Sequence, residues 1–472
     1  MKYYKLYILS FIALFQFAGC KKFVELDAPK TLTVASTVFT DDNTAIAAVV
    51  GIYTKMNESQ LAAQMPLFTG LAADELKTNN PLFAPVYQNA IPAVNPITSN
   101  TWSSSYNYIY QANAVYEGCT ASTALSSAVK KQLMAEAVFI RAYWYFYLVN
   151  LYGDVPLIMA TDYELNRTAA RTSKDLVYQQ IIKDLKNAQA NLNPNYVDGT
   201  SIASSSERIR PNVAAATALL ARVYLYTGDY INAEAQASVI INNKAMYDTV
   251  DINSVFLANS KEAIWQISKA LPANNINTYE GNIFILTGKP RTGSGGSTTL
   301  SSQLLTAFDD STDKRKINWV GKLTSAGVDY YYAYKYKVRT SPDITEYSMI
   351  LRVAEQYLIR AEARAQQSNL GGAIADVDVI RKRAGIPLIA DINPNIGKAE
   401  LLTVVMKERQ KEFFAEWGHR WLDLKRTGQV DGVMNAVAPI KGTTWNSNFQ
   451  LWPIPQSEIN NDPNLKQNPG YN

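Results

Sequence analysis

The chain has 472 residues, 47% of them hydrophobic and 18% charged, which is enough to bury a large core in one large domain or two closely packed ones. Lys and Arg number 45 against 41 Asp and Glu, so the balance of charge gives no electrostatic indication of nucleic-acid binding. A single histidine excludes the multi-histidine zinc sites that are common in hydrolases.

The N-terminus is typical of a secretion signal. Two early lysines precede an apolar run over 6–17, and the small residues Ala18 and Gly19 stand directly before Cys20. This arrangement resembles the lipobox of bacterial lipoproteins, which predicts removal of residues 1–19 and lipidation of Cys20. The alternative is an ordinary signal peptide followed by a chance cysteine.

The mature chain is expected to be close to neutral. Removing residues 1–19 takes away two lysines and no acids, which leaves 43 Lys and Arg against 41 Asp and Glu. With Cys20 lipidated, Cys119 is the one remaining thiol, so no internal disulfide is expected. No later segment reaches the roughly 18 uninterrupted apolar residues of a transmembrane helix, so a lipid is the expected membrane anchor.

Most of the mature sequence has helical periodicity. In the segment 214–241, Ala218, Ala221 and Ala237 recur at helical spacing around a break at Gly228, which predicts two antiparallel helices joined by a short turn. The turn resembles that of a tetratricopeptide unit. Weaker versions of this pattern occur at 133–154 and 351–385. We therefore predict a mainly α fold built of scattered helical hairpins, with scaffold segments at about 30–76, 106–270 and 346–430.

Three segments between and after these hairpins are predicted to be rich in loops. They are 77–105, 271–345 and 431–472, and the first is dominated by Pro, Asn and Ser. Tyrosines at alternating positions from Tyr330 to Tyr336 predict a short strand in the second. The glycine-serine tract at 292–299 lacks the lysine of a phosphate-binding loop and is expected to be a flexible loop.

The stretch 408–426, ERQKEFFAEWGHRWLDLKR, holds the one histidine of the chain. A catalytic reading makes His419 a general base oriented by Asp423 and acting on a serine or on Cys119, but no nucleophile motif accompanies it. The structural interpretation is favoured: the stretch is predicted to be a helix whose apolar stripe, which includes Trp417 and Trp421, faces the protein core. Side chains four apart, such as Glu416 with Arg420 and His419 with Asp423, are then expected to pair on that helix.

Four motifs together resemble the SusD/RagB family of Bacteroidetes outer-membrane lipoproteins. They are AVFIRAYWYFYLVNLYGDVPLI (137–158), LRVAEQYLIRAEARAQ (351–366), ERQKEFFAEWGHRWLDLKRTG (408–428) and LWPIPQSEINNDPNLKQNPGYN (451–472). The resemblance covers essentially the whole mature chain. It implies a single SusD-like domain over 20–472, with a tetratricopeptide-like scaffold and a loop-rich part containing short strands.

The same resemblance implies a function. Family members capture nutrients, usually glycans, at the cell surface and deliver them to a SusC-type TonB-dependent transporter, without catalysis, cofactor or metal. Surface lipoproteins of this phylum often carry acidic residues after the lipidated cysteine, whereas here Lys21 and Lys22 come first, which leaves export to the surface open. Three alternatives stay open: a protein that binds a peptide or other cargo, a scaffold that binds the transporter and no small ligand, and an extracellular glycosidase.

Candidate ligand residues follow from the chemistry of sugars, which present hydroxyls and apolar C–H faces to aromatic rings and polar partners. The loop-rich segments offer aromatic and polar side chains of this kind: Trp319, Trp102, Tyr87, Tyr279, Asn79, Asn80 and Arg291. Trp319 ranks first because it follows the charged turn 309–318, where little local core is available, so its indole is expected to be exposed. The alternative for each aromatic is that it packs its own loop or touches the transporter.

Overall fold

A computed structural model describes residues 35–59, 61–268, 275–293 and 296–471. The predicted signal segment and Cys20 lie outside these residues. The described chain is mostly helical, with short strands, which confirms the predicted mainly α class. None of its helices is both long and apolar enough to cross a membrane.

The helices differ widely in length, and those up to residue 242 include the two longest. These are α1 (Ala35–Val38), α2 (Asp42–Glu58), α3 (Leu61–Ala72), α4 (Ala84–Tyr87), α5 (Pro96–Ala121), α6 (Ser127–Tyr152), α7 (Tyr163–Asn166), α8 (Lys174–Asn191), α9 (Val213–Tyr226) and α10 (Tyr230–Asn242). Those that follow are α11 (Tyr279–Phe284), α12 (Ser302–Ala307), α13 (Lys314–Trp319), α14 (Val353–Gln366), α15 (Leu370–Ala384), α16 (Ile389–Ile392), α17 (Lys398–Phe413), α18 (His419–Arg426), α19 (Val430–Val437) and α20 (Gln456–Asn461), with a 3₁₀ turn at Ser447–Gln450.

The strands form four antiparallel pairs in the described chain. They are β1 (Leu76–Thr78) with β5 (Thr298–Leu300), β2 (Val155–Pro156) with β3 (Arg171–Thr172), β4 (Ala263–Ile267) with β8 (Ser348–Arg352), and β6 (Val320–Ser325) with β7 (Val328–Ala333). The β2–β3 and β6–β7 pairs join strands that are close in the chain. The β4–β8 pair joins strands more than 80 residues apart, and β1–β5 joins strands more than 200 residues apart.

The helical hairpins stack in series, from α5 and α6 through α8, α9 and α10 to α14 and α15. From Ala135 to Tyr152 every residue of α6 is buried, as expected for a helix that is apolar on all sides. The predicted hairpin at 214–241 is confirmed as α9 and α10, and its turn contains Gly228 with a φ of 75°. The small residues at this contact, including Ala221 and Ala237, have no exposed surface, so the two helices pack closely.

One predicted loop is partly wrong. Helix α5 begins at Pro96, inside the segment 77–105. The Asn95 side chain accepts a hydrogen bond from the Ile97 amide at 2.8 Å, and proline suits the first turn because its missing N–H needs no partner there. The polar composition of 96–105 therefore marks a capped helix start rather than a loop.

The stretch 408–426 is two helices rather than one. Helix α17 ends at Phe413, and Ala415, Trp417 and Gly418 all have positive φ before α18 begins. Trp417 and Trp421 are nevertheless buried, which confirms their predicted place in the core. The expected pairs of side chains four residues apart are wrong: Arg420 bonds to Asp74, and Glu416 bonds to Arg352.

A buried cluster of charges holds this turn in place. Arg352, at the end of β8, donates to Glu262, Glu412 and Glu416 at 2.6–2.9 Å. Removing one member would leave an uncompensated buried charge, so the cluster fixes the turn to the β4–β8 ribbon.

Candidate functional site

The two predicted loop-rich segments, 77–105 and 271–345, meet at one cleft of about 400 Å³. Its walls come from three places along the chain: Lys77, Thr78, Asn79 and Tyr87; Pro290, Thr299, Leu300, Ser302 and Leu305; and Val328, Asp329, Tyr330 and Tyr331. We call it the tyrosine cleft.

The β1–β5 ribbon brings the first two parts together. Lys77 lies opposite Thr299 in the ladder, and the Asn79 amide extends the pairing by donating to the Ser297 carbonyl at 3.0 Å. At the other end, the Ser301 amide donates to the Glu75 carbonyl at 2.8 Å. These backbone bonds hold the cleft residues on a fixed ribbon despite their separation in sequence.

The β6–β7 hairpin supplies the third part. Its turn residues Ala326 and Gly327 both have positive φ, the requirement of a type I′ turn. Gly321 lies opposite Tyr332, and a Cβ at Gly321 would come within 2.3 Å of the Tyr332 ring, so glycine permits this close approach. The hairpin packs beside β5, which brings Tyr330 and Tyr331 to the cleft.

The buried side chain of Lys441 packs behind Tyr87. The Lys441 Nζ lies 5.1 Å from the centre of the Tyr87 ring and donates to the carbonyls of Leu71, Ala72 and Ala73 at the end of α3. Burial raises the pKa of the Tyr87 phenol, which is therefore neutral at physiological pH and available as a hydrogen-bond donor.

The cleft offers three half-buried tyrosines together with amide, hydroxyl and ammonium groups at its rim. Asp329 is its one carboxylate, and this side chain pairs with Lys322 at 2.7 Å. Rings that can stack on C–H faces, beside amides and hydroxyls that can bond to hydroxyl groups, are the chemistry that a sugar requires.

Two of the predicted ligand residues, Asn79 and Tyr87, line this cleft. Asn80 is buried beside it, where its side-chain oxygen accepts from the Leu82 amide at 3.0 Å. Arg291 is exposed next to the cleft residue Pro290 but is not part of the wall. Tyr279 is half-buried at the start of α11 and lies outside the wall.

The prediction of an exposed Trp319 is wrong. Its side chain has no exposed surface, its indole Nε1 donates to the Ile252 carbonyl at 3.0 Å, and its ring meets Phe256 edge-on at 5.7 Å. Residues that are distant in sequence supply the core that the local charged turn lacks. Trp319 therefore pins its loop to the fold, which is the alternative that the sequence left open.

Trp102 is also more buried than predicted, at 3% exposure on α5. Its ring packs edge-on against Tyr152 at 5.0 Å between ring centres, and at a tilt against Tyr106 at 4.9 Å. It borders a second cleft, separate from the tyrosine cleft.

Sequence reasoning did not assign Tyr330, Tyr331 or Lys77 to a ligand site. The tyrosines at alternating positions from Tyr330 were the signal that could have located this strand. The strand was predicted to run to Tyr336, whereas β7 ends at Ala333. Tyr336 is buried and accepts a hydrogen bond from the Met349 amide at 2.9 Å.

His419 lines neither of these clefts. Its imidazole stacks on Phe413 with ring centres 4.6 Å apart, and burial next to several arginines lowers its pKa. The Asp423 carboxylate, expected to orient it, instead accepts from Arg409 and Arg426 at 2.7 and 2.8 Å. The sulfur of Cys119 is buried on α5, where burial raises its pKa to about 11. These contacts support the structural reading of the histidine stretch.

Comparison with protein families gives two matches that together span most of the chain. A family model described as the SusD family matches residues 301–471. A second, described as starch-binding associating with outer membrane, matches residues 22–225.

Individual proteins agree with these matches. The chain is 28% identical over 422 residues to SusD-like protein P2 of Formosa agariphila, which covers 79% of this chain and 81% of that protein. A SusD superfamily protein from Bacteroides vulgatus superposes with a TM-score of 0.79 at 20% identity, covering 92% of this chain and all of that one. A laminarin-binding SusD-like protein superposes with a TM-score of 0.73 at 22% identity, covering 90% and 99%. At these identities the two structures establish the fold.

Proposed function

Because the chain belongs to the SusD family, we propose that it captures glycans at the outer membrane and that the tyrosine cleft holds the glycan. One observation carries the proposal: Tyr87 and Asn79, from one predicted loop-rich segment, line a single cleft with Tyr330 and Tyr331 from the other. The family description of starch binding and the laminarin-binding structural relative support a carbohydrate as cargo.

The chemistry of the cleft favours capture over cleavage. Glycoside hydrolysis by the usual mechanism needs two carboxylates about 5–10 Å apart. Asp329 is the single carboxylate among the lining residues, and it is engaged by Lys322. Incubation of the purified protein with oligosaccharides, followed by chromatography for products, tests this: any enzyme-dependent product would contradict a binding role.

The delivery step and the anchor are parts of the same proposal. We infer a SusC-type transporter as the partner and a lipid on Cys20 as the anchor, on the strength of the family and of the lipobox pattern. Co-purification of a tagged protein from native outer membranes, followed by mass spectrometry, tests the partnership. A preparation that never contains a TonB-dependent transporter would contradict it.

Calorimetry against a panel of glycans and peptides tests the cargo. We expect saturable binding to a glycan, and Tyr331→Ala should weaken it; because Tyr331 is half-buried against the core, the melting temperature is measured as well and the affinity is taken on folded protein. Tyr110→Ala is the matched control, because Tyr110 is also partly exposed, at 51%, and lies on α5 outside the cleft. Saturable binding to peptides and to none of the glycans would favour the peptide alternative instead.

A further inference from the structure

A second cleft, of about 620 Å³, lies on another part of the surface and is larger than the tyrosine cleft. It is formed by the first half of α5, the segment around α7, and the C-terminal helix α20. We call it the α5 cleft, and it is bordered by Trp102, Tyr106, Asn107, Tyr163, Glu458 and Asn461. The two clefts share no lining residue, so a ligand in one leaves the other open.

The aromatic wall of the α5 cleft is rigid. Trp102 and Tyr106 pack at 4.9 Å between ring centres, and the Tyr106 hydroxyl donates to the Pro156 carbonyl at 2.8 Å. Trp102 is almost entirely buried, so it contributes a fixed edge and little area. A ligand would therefore meet a wall whose aromatic groups lose little freedom on binding.

Tyr163 gives the cleft an exposed aromatic face. It is 71% exposed at the first residue of the short helix α7. The Asp162 side chain fixes the start of that helix by accepting from the Glu164 amide at 2.8 Å. A large ring presented in this way at the mouth of a cleft is suited to stacking on a ligand.

Polar groups face the same space. Asn107 and Asn461 are exposed at the rim, on α5 and α20 respectively, and Glu458 is half-buried between them and the aromatic wall. Burial raises the pKa of the Glu458 carboxyl, and a hydrogen bond with Trp102 offsets only part of this rise. Amides and a carboxylate at the edge of an aromatic surface can bond to the hydroxyls of a sugar whose C–H face stacks on Tyr163.

We propose that the α5 cleft is a second carbohydrate-binding site, which holds another stretch of the same polysaccharide or a separate chain. The combination of an exposed ring, a fixed aromatic wall and rim amides carries the inference. It rests on the proposed function, since it takes the cargo to be a glycan. Two sites on one protein make a long polysaccharide bind more tightly than a short oligosaccharide, because the second contact becomes intramolecular.

Native gel electrophoresis with laminarin or soluble starch in the gel tests the inference on the full mature protein. The variants are Tyr163→Ala and Asn461→Ala, both at exposed positions where folding is not at risk. The control is Tyr110→Ala, at an exposed tyrosine on α5 outside both clefts. Tyr331→Ala serves as the tyrosine-cleft variant.

We expect the polysaccharide to retard the wild type, and Tyr163→Ala to weaken the apparent affinity by about tenfold, the equivalent of one lost stacking contact. Asn461→Ala should weaken it less, and Tyr110→Ala should leave it unchanged. The loss in Tyr163→Ala should be larger for the polymer than for a short oligosaccharide.

Other outcomes separate the two proposals. Retardation of Tyr163→Ala and Asn461→Ala equal to that of the wild type would overturn the second site and leave the proposed function intact. Unchanged retardation with loss of transporter co-purification would assign the α5 cleft to the partner, which also overturns the second site. If neither polysaccharide retards the wild type and no other glycan of the calorimetric panel binds to it, both the proposed function and this inference are overturned.

Discussion

The ammonium of Lys335 lies 4.8 Å from the centre of the Trp319 ring. Phe414 and Phe256 stand at 4.2 and 5.6 Å from the same Nζ, so three rings enclose the cation. Lys335 donates to Glu416 and to the Glu412 carbonyl, which ties this aromatic box to the turn between α17 and α18. Trp319 is thus a wall of a buried ionic site rather than a surface for ligand.

Trp319→Ala should therefore destabilise the protein. Truncating a buried tryptophan costs about 3–5 kcal/mol, and here it also removes a wall of the box around a charge. Urea unfolding at neutral pH should show the loss as a lower midpoint. The affinity of the folded fraction for glycan should stay at the wild-type value. A variant with wild-type stability and no glycan binding would contradict the structural role.

We expect the free energy of unfolding to depend on pH through the carboxyl group of Glu75. Burial and the neighbouring Asp74 raise its pKa to about 8, from 4.5 in a free side chain. Between pH 4.5 and 8 the folded protein holds a proton that the unfolded chain releases, so this group's contribution to stability is full at low pH and is lost as the pH rises to 8. Glu75→Gln is neutral throughout and should flatten that part of the profile.

The measurement is the unfolding free energy at pH 5.5 and pH 8 for the wild type and Glu75→Gln. Glu164→Gln, at an exposed glutamate paired with Arg167, is the control and should keep the wild-type difference. A difference between the two pH values that is as large in Glu75→Gln as in the wild type would show that other groups cause it.

Lys441 joins the stability of α3 to the position of Tyr87. Its three hydrogen bonds to the last carbonyls of α3 are made in a buried site. Lys441→Met should cost about 1–3 kcal/mol, the cost of leaving buried carbonyls without a donor, and should speed hydrogen exchange in the last turn of α3. Lys398→Met is the matched control, because Lys398 donates to the Gln366 carbonyl from an exposed position. Equal costs in the two variants would contradict this role.

Cys20→Ala should release the protein from membranes or block its maturation. The prediction rests on the small residues and the apolar run that precede Cys20 in the sequence. Membrane fractionation together with labelling by a fatty-acid precursor is the measurement. A Cys20→Ala protein that stays with the membrane and still carries the label would contradict lipidation at this residue.

Periodicity in the sequence predicted those features that depend on neighbours along a helix. Trp421 and the small residues of the α9–α10 hairpin were placed correctly because burial there follows from local spacing. Trp319 was misplaced because Ile252, which accepts its indole hydrogen bond, lies 67 residues away in the chain. No local pattern reports such a partner.

The candidate site shows the same division. Asn79 and Tyr87 could be chosen from loop composition, but their meeting with Tyr331 depends on the pairing of Leu76 with Leu300. Three-residue strands leave almost no signal in a sequence, since the pairing is set by tertiary packing rather than by strand propensity. The sequence could therefore predict some of the residues that line the cleft, but not the tertiary arrangement that brings them together.

Tyr330 allows the two ways of holding a sugar to be separated. It lies half-buried in β7, opposite Leu323, and borders the tyrosine cleft. If its ring is a stacking platform, Tyr330→Phe keeps the ring and should lose little affinity, whereas Tyr330→Ala should lose about 1–3 kcal/mol of binding free energy, by analogy with stacking on flat ligands. If its hydroxyl is the contact, both variants should lose the same amount of binding free energy.

Calorimetry with the best glycan of the panel decides between these two contacts of Tyr330, and a melting temperature measured on each variant checks that the β6–β7 hairpin is intact. Because the hairpin is also fixed by the turn at Gly327 and the packing of Tyr332 on Gly321, neither change should unfold it. Wild-type affinity in both variants would remove Tyr330 from the site and weaken the assignment of the cleft itself.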